Sequence, residues 1–359
     1  MEPIPAASAD HELVVRVTDP EAGLRAIVAL HDTTLGPAIG GCRMRPYPSE
    51  REALRDALRL SRAMSFKTAL AGLPLGGGKS VILGDPERDK TPELLESFGR
   101  AVEALGGRYR VAEDVGIGVR DVEAMARVTR WTVGGEQGAA RGNDPAPWTA
   151  YGVLTGIRVA VRHALGRPLA YLRVGVSGTG SVGTALCYLL RAAGVDLVVA
   201  DVDGGRAARA ARDFGARVVD PEAILREPLD VLAPCAIGGV LDARTVPLLG
   251  ARVVAGSAND QLATPEDGDR LWRRGLVFAP DFVINAGGVI HGAHLLLGEP
   301  GREVVRERIR AIGPRLESVL RRSETEGRPP HRIAEEWATA ALAAARARRP
   351  SAPRTLRSG

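Results

Sequence analysis

The second half of the chain alternates short apolar runs with longer stretches of mixed polarity. Strand-like runs fall at residues 172–177, 197–200, 217–219, 231–233, 252–255 and 277–279, and a helix fits between Gly183 and Gly194. This alternation predicts a doubly wound parallel sheet. A helix over 150–165 precedes the block, and helices over 302–322 and 332–348 follow it.

The first part reads differently. Residues 11–17 and 24–30 are strand-like, and 31–44 reads as a loop in which Gly40 and Gly41 bare the backbone. Ser49 and Glu52 form a capping-box signature ahead of the stripe Ala53, Leu54, Ala57, Leu58, Ser61 and Met64, a helix predicted to end at Lys67. Val81, Ile82 and Leu83 read as a buried strand, 91–105 as a second helix, and 109–112 as a short strand that delivers Glu113 and Asp114. The glycine- and proline-rich stretch 135–147 reads as a hinge across which two domains close.

A chain of 359 residues exceeds the size at which one core keeps growing, so two domains are expected. Aromatics supply only 4% of residues against 45% hydrophobic overall, and an aliphatic excess suits parallel sheets covered by helices. The net charge of +5 is spread along the chain without a basic, aromatic-interleaved block, which argues against a nucleic-acid partner. Cys42, Cys187 and Cys235 are odd in number and lack metal-ligand spacing, so they read as reduced thiols, and no metal is expected. No run reaches the roughly 18 apolar residues of a membrane helix, and residues 1–10 lack a signal-peptide pattern, so a cytoplasmic protein is expected.

Two stretches carry chemistry. In GTGSVG, residues 178–183, Gly178, Gly180 and Gly183 stand where a strand turns into a helix, and Asp201 ends the next strand. That context suits a dinucleotide: glycines for the turn and the pyrophosphate, a carboxylate for the ribose. Asp201 would repel a 2′-phosphate and favours NAD over NADP, although Arg206 could turn back toward one. In GLPLGGGKSVILGD, residues 72–85, Lys79 follows Gly76, Gly77 and Gly78, which read as a bare surface with one amine projecting from it. The ending GGGKS suggests a nucleotide phosphate loop, but the first glycine of that motif should stand at 73, which is Leu73. A solvated lysine after a turn and a reactive lysine in a partly dry pocket both remain open. Lys67 and Asp114 complete a candidate set of two amines and one carboxylate, which suits a substrate that carries a carboxylate and changes between amine and carbonyl. His31, His291 and His294 have no carboxylate partner identifiable by spacing and read as structural, and Cys187 and Cys235 read as small core residues.

The runs HDTTLGPAIGGCRM, DALRLSRAMSFKTALAGLPLGGGKSVI, AEDVG, GTGSVG, APCAIGG, AGSAND and APDFVINAGGVIH resemble the leucine, phenylalanine and valine dehydrogenase family, related to glutamate dehydrogenase, from about residue 20 to 345. The resemblance implies an α/β protein with an N-terminal α/β substrate domain at 1–144, a Rossmann-like NAD domain at 145–322, and a C-terminal segment, 323–359, returning to the first domain. It implies oxidative deamination of an apolar L-amino acid with NAD, in a homo-oligomer. Lys67 would bind the substrate carboxylate with the backbone at Gly40 and Gly41, Lys79 would be the base that activates water, and Asp114 would handle the amino group. Ile39, Ala112, Val289 and Gly292 would surround the substrate side chain, and Asn259 and Asn285 would lie near the nicotinamide and substrate. Gly178, Thr179, Gly180, Ser181, Val182, Gly183, Asp201, Ala236 and Asn259 would hold NAD. Trp148 stands where smaller residues are usual, AND at 258–260 replaces ADN or ANN, and NAGGVIHGAH lacks the VADE continuation of leucine enzymes. Gly292 leaves room in the side-chain pocket, placing phenylalanine slightly ahead of leucine. A silent NAD or amino-acid sensor of the same fold is the alternative.

Overall fold

The computed structural model describes residues 1–4, 10–134, 144–298 and 301–348. The chain forms two compact units, Met1–Thr132 with Glu336–Gly359, and Val133–Glu335. The hinge-like stretch 135–147 falls for the most part outside the described residues.

The first unit is built on a mixed sheet. Its strands are β1 (Glu2–Pro3), β2 (Leu13–Asp19), β3 (Leu24–Asp32), β4 (Ala38–Arg45), β5 (Gly76–Leu83), β6 (Tyr109–Ala112) and β7 (Thr132–Val133), in the order β1-β2-β3-β5-β4-β6-β7. Helices α1 (Glu50–Leu70), α2 (Pro92–Ala104) and α3 (Val119–Ala126) accompany it. Ser49 caps α1 by accepting from the amide of Glu52, and Thr91 caps α2 in the same way from Leu94. On one side, Val28, Leu30, Met44, Ile82, Phe98 and Tyr109 form the main core; Ala53 and Ala57 of α1 form a second with Ile27 and Val81.

Residues 38–45 are a strand rather than part of a loop. β4 is parallel to both β5 and β6, so it is interior to the sheet, and Gly40 and Gly41 continue it because backbone ladders hold it where side chains cannot. Likewise β5 begins at Gly76, not at Val81, and α1 continues past Lys67 to Leu70.

The second unit opens with α4 (Ala146–Leu165). There follow β8 (Arg173–Ser177), α5 (Ser181–Ala192), β9 (Asp196–Ala200), α6 (Gly204–Phe214), β10 (Arg217–Val218), β11 (Val231–Pro234), β12 (Val253–Val254), α7 (Pro265–Arg273) and β13 (Val277–Phe278). The strands are all parallel, in the order β10-β9-β8-β11-β12-β13. Numbered within the sheet this is 3-2-1-4-5-6, the doubly wound arrangement in which the strand order reverses beside the first strand. The glycine-rich turn follows that first strand, β8. The chain then forms α8 (Asp281–Ile284), α9 (Gly287–Leu296), α10 (Arg302–Arg310), α11 (Ile312–Glu326) and α12 (Pro330–Arg348). The single helix expected over 302–322 is therefore two, separated at Ala311.

Candidate functional site

In the first unit, β5 and the turn after β6 bring Lys79 and Asp114 together. Lys79 Nζ donates to Asp114 Oδ2, and Arg43 Nε on β4 donates to the same oxygen at 3.2 Å. The Lys79 side chain is 6% exposed and that of Asp114 15%. Burial alone would raise the Asp114 carboxyl, but the charges of Lys79 and Arg43 outweigh it and hold the group at about 2. A buried amine, a buried guanidinium and an ionised carboxylate thus share one small volume, an arrangement suited to moving protons. Lys67 is buried on α1, which packs on β5.

The three glycines before Lys79 do not form a bare surface. All three are buried within β5. A Cβ at Gly77 would lie 2.0 Å from the amide nitrogen of Ser65 on α1, and one at Gly76 would lie 2.2 Å from the carbonyl oxygen of Asp32. The glycines let α1 and the strands close onto β5, which fixes where Lys79 emerges. Gly41 serves the same purpose on β4, because a Cβ there would lie 2.7 Å from the Asp114 Cβ. Ile39 and Gly40 are buried, and Ala112 at the end of β6 is half-buried.

His31 is the residue bypassed by the register shift between β3 and β5, and its Nδ1 lies 2.9 Å from Ser65 Oγ. That contact supports the structural reading of His31 and joins β3, the strand paired with the one that carries Lys79, to the helix that carries Lys67. All three cysteines are free; Cys42 and Cys187 are buried, and Cys235 is half-buried just past β11.

In the second unit the residues 178–183 form the turn from β8 into α5. Gly178 has φ +102°, a conformation that favours glycine, and a Cβ at Gly183 would fall 1.9 Å from the Gly178 carbonyl oxygen, so the helix sits directly on the turn. At Gly180 a Cβ would meet, among the described residues, only Arg206 Nη1, at 3.9 Å. No side chain caps the start of α5 at Ser181 and Val182. An uncapped helix start over an open glycine fits a pyrophosphate. Asp201 Oδ2 accepts from Thr179 N at 2.6 Å and Thr179 Oγ1 at 3.0 Å. Ala236 packs against the turn, with its nitrogen 2.7 Å from the Cβ position of Gly178.

Asn259 and Asn285 come together in this unit. Asn285 Nδ2 donates to Asn259 Oδ1 at 3.0 Å and to the Ser257 carbonyl at 3.1 Å, while its buried Oδ1 has no partner among the described residues. A buried acceptor left open in this way fits a ligand's N–H donor.

The family model described as Glu/Leu/Phe/Val dehydrogenase, dimerisation domain, matches residues 11–131, and that of Glutamate/Leucine/Phenylalanine/Valine dehydrogenase matches 206–294. The chain is 45% identical over 330 residues to a leucine dehydrogenase of Geobacillus stearothermophilus, covering 92% of this chain and 90% of that one. The chain belongs to the Glu/Leu/Phe/Val dehydrogenase family.

A valine dehydrogenase of Streptomyces albus is 45% identical over 343 residues, 94% of each chain. The solved L-tryptophan dehydrogenase from Nostoc punctiforme matches with a TM-score of 0.78 at 38% identity, over 94% of this chain and 97% of that one. As a member of the Glu/Leu/Phe/Val dehydrogenase family, the protein is an NAD-dependent amino acid dehydrogenase. Its glycine-rich turn, uncapped helix start and Asp201 fit that cofactor. Among the described residues there is no group of His, Cys, Asp and Glu that could hold a metal ion, and no helix is long and apolar enough to cross a membrane.

Two features of this family member were not read from its sequence as site residues. Arg43 shares Asp114 with Lys79; period-two alternation along β4 puts Arg43 on the same face as Gly41, which packs on Asp114. Trp148 on α4 stacks on His291 of α9, with ring centroids 4.9 Å apart and an interplanar angle of 18°. The half-buried Val289 and Gly292 lie on the same helix, α9.

Proposed function

We infer that the protein catalyses the reversible oxidative deamination of an apolar L-amino acid to its 2-oxo acid and ammonia, with NAD in preference to NADP. The observation that carries this reading is the buried Lys79–Asp114 pair in the unit that also buries Lys67. Lys67 binds the substrate carboxylate, assisted by the backbone at Gly40 and Gly41. Asp114 takes a proton from the substrate amine, leaving the nitrogen lone pair free to form the imine. Lys79 takes a proton from water as its oxygen adds to the imine carbon; Asp114 then returns its proton to the nitrogen, and the C–N bond breaks to release ammonia as the C=O of the 2-oxo acid forms, the hydroxyl proton passing to the departing ammonia. Gly178, Thr179, Gly180, Ser181, Val182, Gly183, Asp201 and Ala236 would hold NAD, which would supply the hydride acceptor for the substrate Cα, and Asn259 and Asn285 would orient the nicotinamide and substrate.

Ile39, Ala112, Val289 and Gly292 are assigned to the substrate side chain. All are uncharged, so a second carboxylate would lack a partner and glutamate is disfavoured. Among the described residues a Cβ at Gly292 would have only Val133 within 4 Å, at 3.7 Å, so this wall has room for a larger substrate. Leucine and phenylalanine are the proposed substrates, with phenylalanine slightly ahead, in a cytoplasmic homo-oligomer.

The test adds enzyme, NAD and leucine, phenylalanine, valine or glutamate and follows the absorbance of reduced cofactor. Leucine and phenylalanine should turn over fastest and glutamate not at all. Valine well above phenylalanine would overturn the reading of Gly292; no turnover with any amino acid would favour a sensor.

A further inference from the structure

Asp114 carries two cations on one oxygen. Lys79 reaches Oδ2 from β5 and Arg43 Nε reaches it from β4 at 3.2 Å. Arg43 is fixed at its other end, where Nη1 donates to Asp56 Oδ2 at 3.1 Å. Asp56 in turn accepts from Tyr47 OH at 2.8 Å and from Arg59 Nη2 at 2.9 Å. The Arg43 and Asp56 side chains are only 14% and 11% exposed. Held by carboxylates at both ends and largely dry, the guanidinium is confined beside Asp114.

A lysine facing a lone buried carboxylate holds its proton, because losing it would leave the carboxylate charge uncompensated. Such a lysine makes a poor base. A permanent second cation on the same carboxylate changes the balance: the carboxylate stays compensated when Lys79 is neutral, and a protonated Lys79 is repelled by the guanidinium. We propose that Arg43 is a positioning residue for the reaction, compensating Asp114 so that Lys79 can release and recover its proton during each turnover. The inference rests on the base role of Lys79 proposed above.

The other titratable groups on the elements around Lys79 do not supply this charge in the same way. On α1 stand Asp56, paired with Arg43 and Arg59, and Lys67, assigned to the substrate carboxylate. The Cys42 thiol on β4 is pushed up to about 12 by burial, and the Tyr109 phenol on β6 is raised well above its ordinary value by burial; both are neutral. Asp121 is paired with Lys90 at 2.8 Å. On β3 the residue opposite Lys79 is Ala29.

The test is the pH dependence of kcat/KM for oxidative deamination of the best amino acid in the panel, for the wild type, Arg43→Gln, Arg43→Lys and Lys79→Ala. Removing a unit charge a few ångströms away, at an effective dielectric constant of about 20, should move the acid-side limb of the Arg43→Gln profile upward by about one to two pH units. Arg43→Lys should restore most of the wild-type profile, and the KM for NAD should be unchanged in both. Where Arg43→Gln does not fold, Arg43→Met, which keeps the aliphatic stem, should show the same displacement. If the charge-removing variant titrates with the wild-type profile while Lys79→Ala loses turnover, the role given to Arg43 is wrong and the base assignment stands. If Lys79→Ala keeps turnover, the base assignment itself falls, and the inference with it.

Discussion

Asp201 grips Thr179 twice through one carboxylate oxygen, at 2.6 Å to the backbone nitrogen and 3.0 Å to the hydroxyl, while its Oδ1 accepts from Asp203 N at 2.9 Å. The carboxylate is thereby fixed at the edge of the glycine-rich turn, where, in the proposed function, a ribose hydroxyl would find an acceptor and a 2′-phosphate would meet a like charge. Burial pushes its carboxyl upward, but the amides of Asp203 and Thr179 prevail and hold it below the usual range, so it is charged at neutral pH.

The wild type should therefore use NAD at least about tenfold more efficiently than NADP, a difference of about 1.4 kcal/mol. Asp201→Ser should narrow that gap, chiefly by losing efficiency with NAD. Arg206 is engaged with Asp203 at 3.3 Å in an exposed pair, a weak contact. Equal kcat/KM for the two cofactors in the wild type would mean that Arg206 abandons Asp203 for the phosphate.

Acid should unfold the protein in a defined window. Burial holds His31, His291 and His331 at about 4, against 6.5 for the free side chain. As pH falls, the unfolded chain takes up these protons first, so the stability is whole above about pH 6.5 and is lost progressively toward pH 4. Each histidine contributes to this loss. Asp114 acts in the same direction lower down, between its ordinary 3.8 and about 2. Melting temperatures should be level from pH 8 to 7 and fall steeply between 6.5 and 4. A level profile down to pH 4.5 would show that these imidazoles reach solvent.

Gly77→Ala should destabilise the first unit by about 2 kcal/mol or more, because its new Cβ would lie 2.0 Å from a backbone nitrogen of α1 that has no room to retreat. Gly204→Ala, where nothing among the described residues lies within 4 Å, should stay within about 0.5 kcal/mol of the wild type. Thermal melts of the two variants check this pair. A melt of Gly77→Ala that overlays the wild type would mean that α1 does not lie as tightly on β5 as the contact requires.

The parallel sheet was legible because its strands are short segments that each carry valine and are separated by turns or helices, as at 172–177 and 197–200. The glycine-rich strands were not. β4 and the first half of β5 carry Gly40, Gly41, Gly76, Gly77 and Gly78, which present no side chains to alternate, so their strand character comes from neighbouring backbones and from α1 pressed against them. For the same reason Lys79 reads in sequence as an amine on a bare surface, whereas its surroundings are packed. Arg43 was passed over because its partners, Asp56 and Asp114, lie on a helix and a turn distant in sequence.

The central claim, that Lys79 is the base of this dehydrogenase, is tested most directly by the turnover of Lys79→Ala beside its affinity for NAD. Loss of a positioned proton-transfer group should lower kcat by about a hundredfold to ten-thousandfold, while NAD should titrate with near wild-type affinity because the residues proposed to hold it belong to the other unit. Near-normal turnover by a variant that still binds NAD would contradict the account.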